Sequence, residues 1–587
     1  MKILGIIGRS DIPTAHDGSA ALIIDNKIKF AIEQERLTRH RYAEGEGAAD
    51  AAQVCLEQAR LQLSDIDYIA YGWLEDLKSG TKVSQEITVS DELTPIILPP
   101  KQFGYKDPPP INFVQHHHTH AAVTFFTSGF DSAGVLVIDG QGEGVAISLF
   151  HAQGDKIEPI ETYPVINSMG MFYGAASARA GFGGYPKPGK LSWHPGPGKL
   201  MGLAPFGQVR QPIDFKFDPD TGHFLLPAPI QKAINESSTP PTAGDVGMFW
   251  LHYFEDYFFP YRQNWDTYKS YYDATNYVDF AASVQKTLEN LAYNLALRLK
   301  KLTGEKNLVL SGGCALNCNM NSMLSESKLF DNLYVFPAAN DAGCSIGAAL
   351  ALSNTIKSPK ISVKRLISPG FGCTYTNQEI IKALTKFGFQ AEKLSDEEIV
   401  DHVAQDLADN KIITWFRGQD EFGPRALGRR SFLSNPSQRE TLGRLNKIKG
   451  REMWRPLAPS ILREKANLVL EGDLEPGLHR YMLGIAIVKS EWRSKIPAVV
   501  HVDFSTRSHL VEKEQDGIYW SLINKFYETT GIPLVCNTSL NIAGEPIVHK
   551  PEQVLEIYTK QDDVQTLVIE NFYLTKTESL YNPNLSS

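Results

Sequence analysis

The amino-acid sequence predicts an α/β protein with two domains. The chain has 587 residues, which is more than one hydrophobic core usually organises. Short apolar runs of strand character alternate along it with segments of helical periodicity. Periodicity is lost and charge rises at 354–370, a pattern that is typical of a linker. We therefore expect one domain at 1–360 and a second at 361–587.

Composition excludes several classes of protein. The net charge is −9, so the surface as a whole is not built to hold nucleic acid. No apolar stretch reaches the ~18 residues that cross a bilayer, and the short apolar N-terminus is predicted to be a strand rather than a signal peptide. The 6 cysteines are scattered and form no disulfide framework, which favours a reducing compartment. We expect a cytoplasmic protein that binds neither nucleic acid nor membrane.

The first domain opens with three strand-like runs, at Lys2–Gly8, Ala20–Asp25 and Lys27–Ile32, with a polar turn at His16–Ser19 between the first two. A β-meander that opens with a polar turn resembles the start of ATPase domains of the actin, sugar-kinase and heat-shock superfamily. A second phosphate-facing loop is predicted where an apolar strand ends in Asp139-Gly-Gln-Gly-Glu-Gly. Its glycines would let the backbone approach a nucleotide closely.

The segment Gln115-His-His-His-Thr-His-Ala121 predicts half of a metal site. His116 and His120 are four residues apart, so on a helix they share one face about 6 Å apart along the axis. Two imidazoles so placed can converge on one cation. Asp139, at its strand end, supplies a carboxylate, and Asp341, at the start of a Gly- and Ala-rich helix, is the expected fourth ligand. The simpler alternatives are a solvated His-rich helix end and, for Asp341, a helix N-cap.

Two further segments of the first domain are informative. A helix is predicted at 278–302, followed by a strand at 307–311 that runs into Gly312 and Gly313, whose backbone amides could approach a nucleotide. The segment 245–277 is rich in aromatic residues. It predicts either a small hydrophobic core or one wall of an acceptor pocket, and the sequence leaves both open.

The second domain is predicted to handle anions. Between Lys411 and Arg455 there are eleven basic residues against four acidic ones, in a protein of net charge −9. Such a concentration favours a phosphate pocket over a random surface. Within it, a Gly-Pro turn places Arg425 at a predicted helix start, where a guanidinium can fork two phosphate oxygens. A solvated basic face is the alternative for any one of these residues.

Several motifs taken together carry a specific resemblance. They are His16-Asp-Gly-Ser-Ala20, Glu33-Gln-Glu-Arg36, His116-His-His-Thr-His-Ala121, Lys199-Leu-Met-Gly-Leu-Ala-Pro205, Ser311-Gly-Gly-Cys-Ala-Leu-Asn317, Asp341-Ala-Gly343, Glu421-Phe-Gly-Pro-Arg-Ala-Leu-Gly428, Arg451-Glu with Arg455-Pro, and Asn537-Thr-Ser-Leu-Asn541. Over nearly its whole length the chain resembles the O-carbamoyltransferases of the NodU/CmcH type, which carbamoylate nodulation factors and antibiotics.

This resemblance implies a reaction in two steps on two domains. The first domain, similar to the TsaD-type tRNA threonylcarbamoyl transferases, would hold a metal and pass a carbamoyl group to an alcohol. The second, similar to YrdC proteins, would use carbamoyl phosphate and ATP to make carbamoyl-adenylate. The family metal is typically iron(II), with two His and two Asp ligands. Those ligands correspond to His116, His120, Asp139 and Asp341, a set that would also suit manganese or zinc.

The resemblance also assigns roles to single residues. His16 would be the general base, unless it is a structural histidine of its turn. Arg455 would be catalytic as well as part of the carbamoyl phosphate site. The resemblance also implies two larger sets of binding residues. The carbamoyl phosphate site would comprise Arg425, Lys449, Arg455, Arg507 and Asn537. The residues bordering the nucleotide would be Gly140, Gly142, Lys199, Ser311, Gly312, Gly313 and Asn317.

The expected substrates are ATP, with Mg²⁺, carbamoyl phosphate and a small-molecule hydroxyl acceptor from secondary metabolism, and a homodimer is expected. The main rival is a tRNA threonylcarbamoyl-type transferase, against which stand the fused anion-binding domain and the absence of a broad basic surface. A non-catalytic nucleotide-binding scaffold is the second alternative function. It predicts loss of the metal ligands or of Arg425 and Arg455, all of which are present.

Overall fold

A computed structural model of the chain describes residues 1–74, 87–182, 196–210, 212–257, 275–356 and 363–576. The chain forms two compact units. Unit 1 comprises Met1–Thr38 and Tyr42–Leu366, and unit 2 comprises Arg39–Arg41 and Ile367–Ser587. The domain boundary predicted between residues 360 and 361 lies outside the described residues.

Unit 1 is a mixed α/β structure. Its described strands are β1 (Lys2–Ile7), β2 (Ser19–Ile24), β3 (Lys27–Glu33), β4 (Tyr68–Tyr71), β5 (Ile87–Ser90), β6 (Ile111–Val114), β7 (Ser132–Gly142), β8 (Val145–Gln153), β9 (Lys156–Pro164), β10 (Lys216–Asp218), β11 (His223–Leu225), β12 (Asn307–Ser311) and β13 (Asn332–Val335). Its described helices are α1 (Gln34–Thr38), α2 (Ala49–Ala59), α3 (Thr94–Ile97), α4 (Pro100–Phe103), α5 (His116–Ser128), α6 (Met169–Arg179), α7 (Gly196–Leu203), α8 (Ala228–Glu236), α9 (Ala243–Tyr257), α10 (Thr275–Thr303), α11 (Cys318–Glu326) and α12 (Cys344–Thr355).

Unit 1 contains the same sheet topology twice. The first sheet has the order β3-β2-β1-β4-β6-β5, with β1 antiparallel to β2 and parallel to β4. The second has the order β13-β12-β7-β8-β9, with β7 antiparallel to β8 and parallel to β12. Each contains a three-strand meander extended by two parallel strands, and the first also has β5, antiparallel to β6, at its edge. The predicted α/β class and the opening meander β1-β2-β3 are confirmed. The sequence showed no sign of this duplication, because the two halves share strand order rather than residue pattern.

Two helices at the centre of unit 1 position its candidate site. Every residue of α5 except His118 is buried, and so is nearly all of α12. The two helices pack closely because Gly347 has no side chain: a Cβ there would lie 2.0 Å from the carbonyl oxygen of Thr119. This contact brings the start of α12 beside the first turn of α5.

Unit 2 is also α/β. Its strands are β14 (Glu392–Lys393), β15 (Ile413–Phe416), β16 (Arg430–Ser434), β17 (Ala458–Leu462), β18 (Leu470–Glu471), β19 (Ala486–Val488), β20 (Ser505–Thr506), β21 (His509–Val511), β22 (Leu534–Ser539), β23 (Thr566–Ile569) and β24 (Phe572–Thr575). Its helices are α13 (Asn377–Lys386), α14 (Asp396–Ala408), α15 (Glu440–Ile448), α16 (Ala466–Val469), α17 (Pro476–His479), α18 (Ser490–Arg493), α19 (Gly517–Thr530) and α20 (Pro551–Lys560).

One mixed sheet of eight strands, in the order β14-β24-β23-β15-β16-β22-β17-β21, forms the centre of unit 2. Apolar side chains cover both of its faces, since neighbours such as Phe432 and Leu433 in β16 belong to different core clusters. The residues predicted to form the carbamoyl phosphate site lie in segments that lead into, or lie on, the adjacent strands β16, β22, β17 and β21. Over the described ranges of both units, no helix combines the length and apolar character needed to cross a membrane.

Candidate functional site

The predicted histidine pair lies on the first turn of α5, where both side chains are fully buried. His116 and His120 point their Nε2 atoms at each other, 3.2 Å apart. Asp139, near the end of β7, and Asp341, just before α12, complete a group whose ligand atoms all lie within 4.8 Å of one another. The structure thus brings together all four residues predicted as metal ligands.

The carboxylates approach the histidines from two sides. Asp139 Oδ2 lies 3.4 Å from His116 Nε2, and Asp341 Oδ1 lies 3.5 Å from the Nε2 of each histidine. The other oxygen of Asp139 accepts a hydrogen bond of 2.9 Å from the backbone N–H of Gly313. That bond fixes the orientation of the carboxylate, as outer-shell partners of metal ligands do.

The hydrogen bonds behind the histidines test whether a cation fits here. His116 Nδ1 lies 3.1 Å from the carbonyl oxygen of Gly72, which can only accept, so Nδ1 carries the ring proton. His120 Nδ1 lies 3.2 Å from Ser311 Oγ. In a neutral His116 ring, Nε2 then presents a lone pair towards His120 Nε2, and a proton or a metal cation between the two atoms can occupy it. The four residues therefore fit one divalent cation.

The pKa values of the group also favour a cation at this site. Burial opposes ionisation of His120, but the charges of Cys344 and Asp341 outweigh it and raise its pKa to about 10. Burial likewise opposes ionisation of Asp341, yet His116 holds the pKa of that carboxyl well below its usual value. Without a cation, protons on the imidazoles compensate the carboxylates. A divalent cation would displace those protons, so its binding depends on pH.

Cys344 is a neighbour of this group that sequence reasoning missed. It is fully buried at the start of α12, and its Sγ forms an alternative three-atom group with the two histidines. Burial raises the pKa of its thiol, but His120 and His116 lower it overall. The signal that could have found it is its position three residues after Asp341, which is one helical turn.

His16, the predicted general base, lies in the polar turn before β2 and is one-third exposed, at 35%. Its Nδ1 is 3.1 Å from Asp17 Oδ2. Burial acts to lower the pKa of His16, but the bond to Asp17 and the charges of Asp341 and Asp139 raise it to about 9. The two ligand carboxylates therefore act electrostatically on His16, which places it near the four-ligand group. The role as base is not tested by these contacts and stays a prediction.

The structure gives most residues predicted to border the nucleotide tight contacts within the protein. A Cβ at Gly142 would lie 2.4 Å from His116 Cδ2, and one at Gly312, where φ is +86°, would lie 2.3 Å from the carbonyl oxygen of Ile138. Asn317 caps α11 by accepting from the N–H of Met320 at 3.0 Å.

The other members of that set have comparable contacts. Ser311 is fully buried behind His120, and Gly313 donates to Asp139. Gly140 has more room, since a Cβ there would meet only the flexible end of Met171, at 3.1 Å. Lys199, on α7, has its Nζ 5.9 Å from the ring centroid of Phe182. The nucleotide role of the whole set remains a prediction.

The aromatic segment 245–277 is described only in part, and its residues 258–274 lie outside the described structure. In the described part, Trp250 is fully buried, with its ring centroid 4.8 Å from that of Phe172 and 5.0 Å from that of Phe215. These rings form a hydrophobic core, which was one of the two alternatives that the sequence left open.

In unit 2 the segment Glu421–Gly428 forms a closed loop, so the helix start predicted at Arg425 is wrong. Glu421 Oε1 accepts from the N–H of Leu427 at 2.7 Å, and Asn537 Nδ2 donates to the carbonyl oxygen of Ala426 at 3.0 Å. Gly423 and Gly428 adopt φ values of +114° and +88°, which favour glycine. The loop is therefore held at both ends, with Arg425 at its tip and partly exposed.

A cluster of cations surrounds the end of β22. Burial, and then the charges of Arg451 and Arg455, hold the pKa of Lys449 well below its usual value. Burial, and then Arg455 and Arg507, do the same to the pKa of Arg451. Lys449, Arg451, Arg455 and Arg507 therefore form a group of four cations in which neighbouring charges depress the ionisation of Lys449 and Arg451. A bound anion would stabilise such a group. Three of them were predicted, and Arg451 was missed although it stands in the same motif.

Strand register explains why distant segments converge here. Asn537 on β22 pairs with Leu433 on β16 and with Ala458 on β17. Arg455 lies just before β17 and Arg507 just before β21, and these two strands run parallel, so both arginines lie at the same edge of the sheet.

Lys449 has a further role. It is 5% exposed, and its Nζ donates to Asn541 Oδ1 at 2.7 Å and to Ser539 Oγ at 3.1 Å. It therefore orders the turn after β22 in addition to contributing positive charge.

Comparison with known proteins agrees with this arrangement. A family model described as carbamoyltransferase N-terminus matches residues 2–350, and one described as carbamoyltransferase C-terminus matches residues 404–576. Nodulation protein NolNO of Sinorhizobium fredii is 32% identical over 96% of this chain and 80% of its own length. Nodulation protein U of the same organism is 30% identical, over 91% of this chain and 93% of its own length.

Among solved structures, that of full-length HypF in the phosphate- and nucleotide-bound form matches with 15% identity and a TM-score of 0.36, over 62% of this chain and 56% of its own length. The two family models together account for most of the chain, and both describe the same activity. The chain belongs to the carbamoyltransferase family and is a carbamoyltransferase.

Proposed function

We propose that the protein is an ATP-dependent O-carbamoyltransferase that makes carbamoyl-adenylate in unit 2 and transfers the carbamoyl group to a small-molecule hydroxyl in unit 1. The observation that carries the proposal is the contrast between the two sites. Unit 2 concentrates cations in a protein of net charge −9, while unit 1 assembles two imidazoles and two carboxylates around one point. A carbamoyl donor that is itself a phosphate needs the first kind of site.

The first step consumes water. A water oxygen bonds to the phosphorus of carbamoyl phosphate and the bond from phosphorus to the carbamoyl oxygen breaks, which yields phosphate and carbamate. A carbamate oxygen then bonds to the α-phosphorus of ATP and pyrophosphate leaves. Carbamoyl phosphate, carbamate and ATP are all anions, so closely spaced cations both bind these reactants and stabilise charge that develops in the transition state.

In unit 2 we assign these tasks to Arg425, Arg455 and Arg507, with Lys449 adding charge and Asn537 binding the carbamoyl end. A guanidinium can hold two phosphate oxygens at once, and this geometry favours arginine over lysine for direct contact. ATP would bring Mg²⁺, which commonly accompanies its phosphates.

The second step is attack by the acceptor. The hydroxyl oxygen bonds to the carbonyl carbon of carbamoyl-adenylate, the carbon–oxygen bond to AMP breaks, and the hydroxyl proton passes to His16, oriented by Asp17. His16 must be neutral to accept that proton, and the positive charge of a nearby cation would lower its pKa from the value of about 9 that the carboxylates impose. When bound, the metal supplies Lewis-acid polarisation and a template for the adenylate.

We propose iron(II) as the metal, held by His116, His120, Asp139 and Asp341. Two imidazoles with two carboxylates suit a borderline divalent ion. The acceptor is proposed to be a hydroxylated secondary metabolite, which is what the resemblance to the carbamoyltransferases of nodulation factors and antibiotics implies.

The test is release of pyrophosphate by purified protein in the presence of ATP and carbamoyl phosphate, without any acceptor. We expect release by the wild type and its loss in Arg455→Ala. A metal-loaded wild-type protein that releases no pyrophosphate, either alone or with a panel of hydroxylated acceptors, would contradict the proposal.

A further inference from the structure

The Asn537 side chain is held in an unusual way. The residue is 1% exposed on the central strand β22. Its Nδ2 donates two hydrogen bonds, of 3.0 Å to the carbonyl oxygen of Ala426 and of 2.9 Å to Ser460 Oγ. Within the described ranges, its Oδ1 has no hydrogen-bond partner. A buried amide oxygen without a donor is costly, and such atoms often mark a place where a ligand binds.

The hydrogen-bonding partners of this amide determine its orientation. The carbonyl oxygen of Ala426 can only accept, so the atom of Asn537 that faces it must be the donor Nδ2. With both Nδ2 hydrogens committed, Oδ1 is the atom left to face the other way. A rotated amide would set two oxygens against each other.

Ser460 and His509 support this orientation of the Asn537 amide. Ser460 Oγ accepts from Asn537 and lies 2.8 Å from His509 Nδ1. Both residues are fully buried. Burial lowers the pKa of His509 to about 3, so its ring is neutral, and Nδ1 can accept the Ser460 hydroxyl proton. In the tautomer with the proton on Nε2, the hydrogen bonds run from Asn537 to Ser460 and from Ser460 to His509.

This chain of bonds lies among the proposed substrate contacts. Asn537 bonds to the residue that follows Arg425, and His509 lies two residues after Arg507. A hydrogen-bond acceptor at this point would face the carbamoyl group of bound carbamoyl phosphate.

We propose that Ser460 and His509 are positioning residues, which keep the Asn537 amide turned so that its Oδ1 accepts a hydrogen bond from the carbamoyl NH₂ and thereby selects carbamoyl phosphate against acetyl phosphate. This inference rests on the proposed function of unit 2. Carbamoyl and acetyl phosphate have nearly the same shape and charge. They differ in that the first presents N–H donors where the second presents a methyl group, which would leave Oδ1 buried without a partner.

The experiment measures the ratio of kcat/KM for carbamoyl phosphate to that for acetyl phosphate in ATP-dependent pyrophosphate release. The ratio of the two Kd values is measured by calorimetry on the same samples, which needs no turnover. We expect the wild type to prefer carbamoyl phosphate by at least about 100-fold. Ser460→Ala and His509→Leu should reduce that preference roughly 3- to 10-fold, because the Asn537 amide then loses or weakens one of the two hydrogen bonds that hold it.

Two further variants separate positioning from general stability. His509→Asn retains an acceptor at the place of Nδ1 and should restore the preference. His479 is the matched control, because it is another fully buried histidine of unit 2, with Nδ1 2.7 Å from Ser508 Oγ. His479→Leu should lower stability but leave the preference unchanged, and a ratio is insensitive to the fraction of folded protein.

An unchanged ratio in Ser460→Ala, or equal binding of the two phosphates by the wild type, would overturn the inference. If His509→Leu does not fold, Ser460→Ala decides. A wild type that binds carbamoyl phosphate selectively but releases no pyrophosphate would contradict the proposed function and leave this inference standing, so the two failures are distinguishable.

Discussion

The two candidate sites differ in the sign of the charge that they leave uncompensated. In unit 1, the carboxylates of Asp139 and Asp341 face two imidazoles whose outer nitrogens are engaged by Gly72 and Ser311. In unit 2, after burial, the charge of Arg455 lowers the pKa of both Lys449 and Arg451, and Arg507 lowers that of Arg451. The nearby Glu452 is 3.7 Å from Arg455. The first arrangement attracts a cation and the second an anion.

The two sites also differ in how the chain builds them. The group in unit 1 is compact because one helical turn sets the spacing of two ligands and the Gly347 contact brings in the start of α12. The cluster in unit 2 is spread over the ends of several strands, so its members come from positions far apart in the sequence. One site is therefore local in origin and the other depends on strand register.

The largest expected effect is removal of a metal ligand from unit 1. His120→Ala should lower metal affinity by more than about 100-fold, because it removes one of four ligands from a buried site. Metal content after dialysis, measured by mass spectrometry, checks this. Pyrophosphate release in unit 2 should persist, and its loss would show that the two sites do not act separately.

His118→Ala is the matched control for that variant. His118 lies on the same helix but is the one residue of α5 that is not fully buried, and it does not belong to the four-ligand group. It should retain the metal. Loss of metal from both variants alike would mean that any change in this helix disrupts the site.

Removal of charge from unit 2 should have the next largest effect. Arg455→Ala should reduce carbamoyl-phosphate-dependent pyrophosphate release about 100-fold, since it withdraws a cation from the phosphate. Metal content should not change. Arg444→Ala is the control, because Arg444 stands in the same basic segment but its Nη2 contacts Asp563 at 3.0 Å. Equal losses in the two variants would argue for a general effect of surface charge.

A glycine substitution distinguishes packing from nucleotide binding in unit 1. Gly142→Ala would set a methyl group 2.4 Å from His116, and we expect about 1–3 kcal/mol of destabilisation with weakened metal binding. Gly140→Ala, which meets only a flexible Met171, should be mild. A variant Gly142→Ala that keeps its metal and stability but shows a raised KM for ATP would favour the nucleotide role predicted from the sequence.

The smallest effect concerns pH and unit 2. Burial lowers the pKa of His479 to about 4 and of His509 to about 3. Below an unfolded-state pKa of about 6.5 the unfolded chain takes up protons that the folded chain refuses, so stability falls as pH decreases from about 6.5 towards 4. His479→Leu should flatten the dependence of Tm on pH, because it removes the part of that dependence that His479 contributes.

His402→Gln serves as its control, since His402 is an exposed histidine of the same unit. It should leave the curve as in the wild type. A wild-type Tm that is constant between pH 7 and pH 4 would contradict the assignment of neutral buried histidines.

Much of unit 1 could be predicted because its signals are local. The opening strands, the helix before β12 and the helical spacing of His116 and His120 depend on residues that are close in sequence. Cys344 was missed because a single cysteine forms no metal-binding motif by itself, and its spacing from Asp341 has meaning only once Asp341 is accepted as a ligand. The close contacts at Gly142 and Gly312 were also missed, because the space beside a glycine depends on residues that are distant in the sequence.

By itself, the sequence determined the α/β class, the separation into two domains, the four candidate ligands and the family. Those features follow from periodicity, spacing and motif, which are properties of short segments. Only the tertiary structure decided that the sheet topology of unit 1 is duplicated, that Arg451 joins the cation cluster, and that Ser460 and His509 stand behind Asn537. These depend on strand register and on the direction of buried hydrogen bonds, which are set when distant strands pair and not before.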